Sequence, residues 1–289
     1  MTWSPGPVVT RRRLGGELKR LREGAGLKLE DVARRLECSP SKISRLENGK
    51  GVPRWRDVRD MLDVYAVGDG EQREKLLEWA REGRAARWWS AYADVLPPGF
   101  DTYVELEWDA TEIHAYESHV VHGLLQTADY ARGVLTAAWS SSYTSQQIDR
   151  MVEVRLKRQE ALDSSHGLTF HCVLDESALY RVAGSPEVLR RQLEHLLEMA
   201  EAEHVDIRVL PFTAGLVATS LSSFAKLAFS AGIEHGMVYV ERPGGAELLA
   251  DPTEIALHEA RLATILDAAL DEQQSIPLLR RASKRITEE

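Results

Sequence analysis

The sequence predicts two domains: a small all-α N-terminal domain of short helices, then a larger mixed α+β C-terminal domain with a small sheet. Three observations carry this. The chain has 289 residues, the length of about two domains at roughly 100–200 residues each. Its apolar spacing is helical with sharp punctuation from Arg11 to Val67, but strand-like runs interleave with helical ones after residue 168. The net charge of −9 divides unevenly. Residues 1–87 hold 20 Lys+Arg against 14 Asp+Glu, a net of +6, whereas residues 88–289 hold 16 against 31, a net of −15. Within the first 59 residues the count is 15 against 7, or +8. A basic head suits a polyanion, whereas charge counting alone leaves a solvated basic surface as the alternative.

Composition excludes several classes. With 44% apolar residues the chain can build packed cores. Two cysteines, Cys38 and Cys172, cannot form a disulfide framework and suit a cytoplasmic protein. Pro5, Gly6 and Pro7 interrupt any signal-peptide core, and no run approaches the roughly 18 apolar residues of a membrane span.

Residues 1–10 are expected to be an N-terminal arm and residues 11–67 a helical domain. Leu14, Leu18 and Leu21 mark one face of a first helix that stops at Gly24-Ala25-Gly26. Leu29, Val32, Ala33 and Leu36 mark a second. Ser39-Pro40 restarts the chain, the hydroxyl capping free backbone N–H groups and the proline losing no bond the first turn needs. Ile43 and Leu46 form the inner side of this third helix, which Asn48-Gly49 ends, and Val58, Met61, Leu62 and Tyr65 belong to a fourth. Two short helices joined by a tight turn, the second presenting Ser41, Lys42, Ser44 and Arg45 outward, form a helix-turn-helix. An α-helix fits the major groove of B-DNA, and an arginine pairs bidentately with guanine O6 and N7.

The runs Leu21–Leu27, Leu29–Leu36 and Ser39-Pro-Ser-Lys-Ile-Ser-Arg-Leu-Glu-Asn-Gly49 resemble the lambda-repressor-like (XRE) helix-turn-helix family over residues 11–67. The resemblance implies a transcriptional regulator that binds a double-stranded DNA operator as a homodimer. It implies base-edge contacts for Ser41 and Arg45, and base or phosphate contacts for Lys42. Ser39, Asn48 and the backbone near Leu29 would touch phosphate, and Arg54 would approach the minor groove. Ser44 completes the DNA-binding set. Pro40 stands where some relatives read a base with a polar side chain, and the loop at Lys50-Gly51-Val52 is shorter than in some relatives. Glu47 is expected to hold the fold.

Residues 68–90 read as a helical connector, with Asp69 as cap, Gln72 as its capping-box partner, and Leu76, Leu77, Trp79 and Ala80 on one face. The charge balance changes sign near Arg84–Trp89, which places the boundary at 85–90. Trp88 and Trp89 read as packing residues, and Leu96-Pro97-Pro98-Gly99 breaks any helix.

Residues 91–289 form the acidic domain. Thr127 caps a helix through Tyr130, Ala131, Val134 and Leu135, and Ser145 a longer one through Ile148, Val152, Leu156, Gln159 and Leu162. Leu168–Leu174 and Val205–Leu210 read as strands flanking a helix that Ser185-Pro186 starts, a βαβ unit. Phe224–Phe229 and Met237–Val240 read as two more strands, Gly244-Gly245 as a turn, and Asp251-Pro252 as the start of a helix reaching about Ala269, with another short helix after it.

No GxSxG, GxxxxGK[ST] or HExxH pattern occurs, and the chain is expected to be no enzyme and to need no cofactor or metal. His119 and His122 read as surface histidines rather than ligands on a helix. His171 and Cys172, adjacent in a strand, point to opposite faces, and Cys172 reads as buried.

The segments Tyr92–Pro98, Gly123–Arg132, Val173–Leu179, Leu210–Gly215 and Val238–Glu241 resemble the C-terminal domain of actinobacterial Scr-type XRE regulators, described as antitoxin-like. His122 replaces the usual proline before Gly123. The resemblance implies that this domain binds a small partner protein, encoded nearby, to modulate DNA binding. The alternative is a ligand sensor with a pocket near Tyr116, Gln126, Tyr130 and Glu241.

Overall fold

A computed structural model describes residues 6–84, 88–217, 222–230, 235–242 and 245–288. The chain divides into two compact units, with a division between Trp88 and Trp89. Ala85–Arg87, inside the expected boundary, and Gly244, of the expected turn, lie outside the described residues.

The first unit contains α1 (Pro7–Gly24), α2 (Leu29–Arg35), α3 (Pro40–Glu47), α4 (Trp55–Val64) and α5 (Glu71–Glu82). α1 begins at Pro7, so the last four residues read as an arm are helical. Proline suits the first helical position, where its missing N–H costs nothing. Ser39 caps α3 through its Oγ, which accepts the Lys42 N–H at 3.3 Å. Gly49 ends that helix at φ 66°, whereas Asn48 keeps φ −90°. Asp69 does not cap α5: Gly70 holds the N-cap position without a side-chain bond, and Asp69 instead faces Arg73 at 3.6 Å. Leu14, Leu18, Val32, Ile43, Val58, Met61 and Leu62 make one core with Leu76, Leu77 and Ala80 of α5. The helix read as a connector is therefore the fifth member of the helical bundle. Fully burying one such leucine contributes about 1.5–3 kcal/mol.

The second unit is built on a six-stranded mixed sheet of order β3-β2-β1-β4-β5-β6. Its strands are β1 (Glu112–Glu117), β2 (Thr169–Asp175), β3 (Val205–Leu210), β4 (Phe224–Ala228), β5 (Met237–Arg242) and β6 (Gly245–Leu249). β1, β2 and β3 run parallel, and β4, β5 and β6 add antiparallel. Parallel neighbours require crossovers. α7 (Ala128–Trp139) and α8 (Ser145–Arg158) join β1 to β2, and α9 (Pro186–Met199) joins β2 to β3. Thr127 and Ser185 cap α7 and α9 as expected, whereas Thr144, one residue before Ser145, caps α8 with Gln147 closing a capping box. α6 (Phe100–Asp109) and β1 precede them, and neither was anticipated.

One sheet face carries Tyr116, Val173, Leu210, Phe224, Val238 and Leu249, packed with Ile255, Leu262 and Ile265 of α10 (Pro252–Ala268). Asp251 caps α10 by accepting the Thr253 N–H at 2.9 Å. The closing helix α11 (Glu272–Glu288) is long rather than short, and it accommodates Pro277 within it. His171 and Cys172 occupy opposite faces, as alternation requires, and Cys172 is buried.

Candidate nucleic-acid interface and the pocket of the C-terminal domain

α3 is the second helix of the helix-turn-helix, and its apolar side lies in the core through Ile43 and Leu46. Ser39, Ser41, Lys42, Arg45, Asn48 and Arg54 are exposed; Ser44 and Leu29 are half-buried. Their side chains differ in what already engages them. Ser39 and Ser41 share a hydrogen bond at 3.1 Å. Lys42 Nζ lies 3.0 Å from Asp57, so its charge is partly answered. Asn48 Nδ2 donates back to the Ser44 carbonyl at 2.8 Å, which ties it to the helix end. The Arg45 side chain makes no hydrogen bond or ion pair among the described residues, and it is exposed on the outward side of α3. Arg54 holds the N-cap position of α4, exposed, its side chain making no cap.

Below this surface Glu47 accepts two bonds from Arg22, Nε to Oε1 at 2.8 Å and Nη2 to Oε2 at 3.0 Å. Arg22 also donates to the Leu27 carbonyl at 2.8 Å, and Tyr65 donates to Glu47 at 3.4 Å. The pair lies in the buried joint between α1 and α3 and fixes the pose of the presented helix. Gly15 completes that joint: a Cβ there would fall 2.5 Å from the Glu47 carbonyl oxygen.

In the second unit a cavity of about 260 Å³ lies between the other sheet face and α6, α7 and α8. One wall is apolar, formed by Val134, Leu135, Trp139, Met151 and Val154, with Leu96, Pro97 and Pro98 at its margin. The polar wall is Glu117, His122, Gln126, Arg155, Arg158, Tyr239 and Glu241. Arg158 donates to both oxygens of Glu107, at 2.6 and 2.7 Å, with both side chains buried. Burial opposes both charges, but their mutual attraction and hydrogen bonds outweigh it, holding Glu107 below and Arg158 above its ordinary value. Tyr103 stacks on Tyr239 at 3.8 Å between ring centres.

His122 is buried, not a surface histidine, and it sits in a loop rather than on a helix. Its Nδ1 accepts the Leu124 N–H at 3.2 Å, which puts the ring proton on Nε2, facing Tyr103 at 3.5 Å. Burial pushes its pKa down to about 3. His119 is exposed. Burial, reinforced by the Glu241 charge, pushes Glu117 well above the usual carboxylate range. Arg155, lowered to about 10 by burial and by neighbouring Arg158, donates from its side chain to Gln126 Oε1 at 2.7 Å. Of the residues expected near a pocket, Gln126 and Glu241 line it. Tyr116 does not, because it points to the opposite face, and Tyr130 is buried behind it with its hydroxyl on the Val121 N–H. Arg155 and Arg158 escaped sequence reading, although arginines three apart among Met151, Val152 and Val154 on an otherwise apolar helix face were a usable signal.

Two family models match. Residues 13–76 match a helix-turn-helix domain, the fold of DNA-binding regulators, and this match reaches the first half of α5. Residues 100–281 match a domain of unknown function, DUF5753. No curated protein and no solved structure matches the chain. With well over half of its length covered by the second model, the chain belongs to the DUF5753 family, and it carries a helix-turn-helix domain ahead of that domain.

Proposed function

We propose that this protein is a sequence-specific, DNA-binding transcriptional regulator that sits on a duplex operator as a homodimer in the cytoplasm and takes its regulatory signal in the C-terminal domain. The observation that carries the first half is Arg45: an exposed guanidinium without a side-chain partner among the described residues, on the second helix of a helix-turn-helix, in a segment of net charge +8. Ser41 stands beside it for a base edge. On this reading Ser39, Ser44, Asn48 and the backbone at Leu29 contact phosphate, Arg54 approaches the minor groove, and Lys42 divides its charge between Asp57 and DNA. Arg45→Ala should weaken binding to the selected operator about 5- to 150-fold, the equivalent of 1–3 kcal/mol, and relax preference at one base pair. A mobility-shift titration at fixed salt reads both, and an unchanged sequence preference refutes the assignment.

For the signal, the reading best supported is a small amphiphilic molecule in the 260 Å³ cavity, its apolar part against Val134 and Met151 and its polar end at Arg155 and Glu117. No reaction is assigned to the chain. A specific observation favours a second reading, capture of a small partner protein as the Scr-type antitoxin-like resemblance implies: Val182, Phe212 and Leu216 are exposed apolar side chains. Native mass spectrometry of the protein drawn from its own host separates the two. A bound metabolite supports the pocket, and a stoichiometric polypeptide supports the partner.

A further inference from the structure

On the sheet face opposite the cavity, three parallel strands bring four ligand-type side chains together at their N-terminal ends. His114 on β1 and His171 on β2 are register partners, their rings stacked 4.4 Å apart and 7° from parallel. Both Nε2 atoms face one carboxylate oxygen, Glu112 Oε1, at 2.9 Å and 3.5 Å. On β3, Asp206 is the register partner of His171 and lies 3.3 Å from its Nδ1. Arg208 Nε, 2.9 Å from Asp206, fixes that carboxylate in turn. Lys226, across from His114 on β4, has its charge answered by Glu259 of α10.

We propose that Glu112, His114 and His171 form a binding site for a divalent transition-metal ion, zinc foremost, with Asp206 as the positioning residue. The three ligand atoms all lie within 4.8 Å of one another. Atoms about 2.1 Å from a tetrahedral zinc lie roughly 3.4 Å apart, so small side-chain rotations close the set. Two imidazoles and one carboxylate select zinc, cobalt, nickel or copper over calcium and magnesium, which prefer oxygen. Asp206 accepting the His171 Nδ1–H is the carboxylate–histidine–metal arrangement that fixes the tautomer and turns Nε2 toward the ion. The side chains are about a quarter exposed for the histidines and 45% exposed for Glu112, so an ion reaches the site from solvent and a fourth position stays open to water. An ion here joins β1 to β2 across their parallel pairing.

The test uses the full chain stripped with a chelator, then titrated with zinc(II) against a chromophoric competitor and with cobalt(II) by visible absorption. We expect one ion per chain, a tetrahedral cobalt spectrum, a zinc-dependent rise in Tm, and loss of all three in the His114→Asn/His171→Asn variant. Asp206→Asn should weaken zinc about 10- to 100-fold while keeping the stoichiometry. Equal zinc affinity in the wild type and the double variant, or a wild type that binds no zinc, overturns the proposal. Circular dichroism checks that the double variant folds; should it fail, Glu112→Gln serves the same comparison at the most exposed ligand.

Discussion

Replacing Glu47 by alanine should loosen the joint that sets the pose of α3. Glu47 takes two hydrogen bonds from Arg22, and the side chains are 3% and 10% exposed. Without that carboxylate Arg22 keeps the Leu27 carbonyl and a 3.4 Å approach to the exposed Glu23. The guanidinium cannot turn to bulk water without opening the packing of α1 on α3, and removing one partner of a buried pair typically costs about 3–5 kcal/mol. For a domain of this size each kcal/mol moves Tm by about 4–8 °C, so the helical unit should melt at least about 12 °C lower. Differential scanning calorimetry on the full chain reads this as a shift of one transition, with the second unit's transition unmoved. The partner control is Arg22→Met/Glu47→Leu, which removes both charges, fills similar volume and should regain most of the loss. A loss under about 1 kcal/mol for Glu47→Ala would show that the pair behaves like a solvated surface bridge and that apolar contacts alone hold the helix.

Three further outcomes follow from the same geometry. Gly15→Ala should destabilise the helical unit by about 1–3 kcal/mol despite alanine's better helix propensity, because the new methyl meets the Leu46 and Glu47 carbonyls at 2.6 and 2.5 Å; calorimetry showing a higher Tm would contradict it. His122 is neutral in the fold, with a pKa of about 3, and protonates near 6.5 when unfolded. The unfolded state therefore binds more protons between those values, and this group lowers stability by about 1.4 kcal/mol for each pH unit of acidification from 6.5 toward 3. Denaturant titrations across that window should show a shallower slope in His122→Asn, which keeps an acceptor for the Leu124 N–H; an equal slope rejects the assignment. Arg158→Met should cost about 3–5 kcal/mol by leaving Glu107 buried and unpaired, and the additional substitution Glu107→Leu should restore part of it, both read by urea unfolding.

What was legible in the sequence was whatever local chemistry decides. Ser39-Pro40, Thr127, Ser185-Pro186 and Asp251-Pro252 start helices because a side-chain oxygen, in three of the four with a proline beside it, acts within one turn. The errors of one residue, Thr144 for Ser145 and Gly70 for Asp69, arose where two adjacent residues could each cap. β1 was invisible for a different reason. It lies between β2 and β4 with both faces partly covered, so the alternation of Glu-Ile-His-Ala lasts only four residues before Tyr116 and Glu117, both buried, reverse it. Missing β1 also misplaced Tyr116, since only its register decides which side chains face the cavity. The cavity itself joins Glu117, His122, Arg158 and Tyr239, which no spacing rule links; only the sheet order brings β5 near the end of α8.

The energetics of that cavity bear on what it is for. A domain seeking stability alone would fill the space with apolar side chains, since buried ion pairs seldom outperform well-packed hydrophobic residues. Here Arg158 and Glu107 are mutually satisfied and account for their own burial. Arg155 and Glu117 are not settled in the same way. Arg155 carries its charge against burial and Arg158, which Glu241, Glu117 and Glu107 offset only in part, and among the described residues its side-chain hydrogen bond goes to a neutral acceptor, Gln126. Glu117 is driven toward its protonated form by burial and Glu241, which outweigh the Ser223 hydrogen bond and the Arg155 and Arg158 charges. Both groups line the open space rather than the packed core, opposite an apolar wall. A molecule with polar atoms at one end and apolar surface at the other would match both walls. On the proposed reading, Arg155 and Glu117 are the residues that would convert occupancy into stability, and hence into a signal.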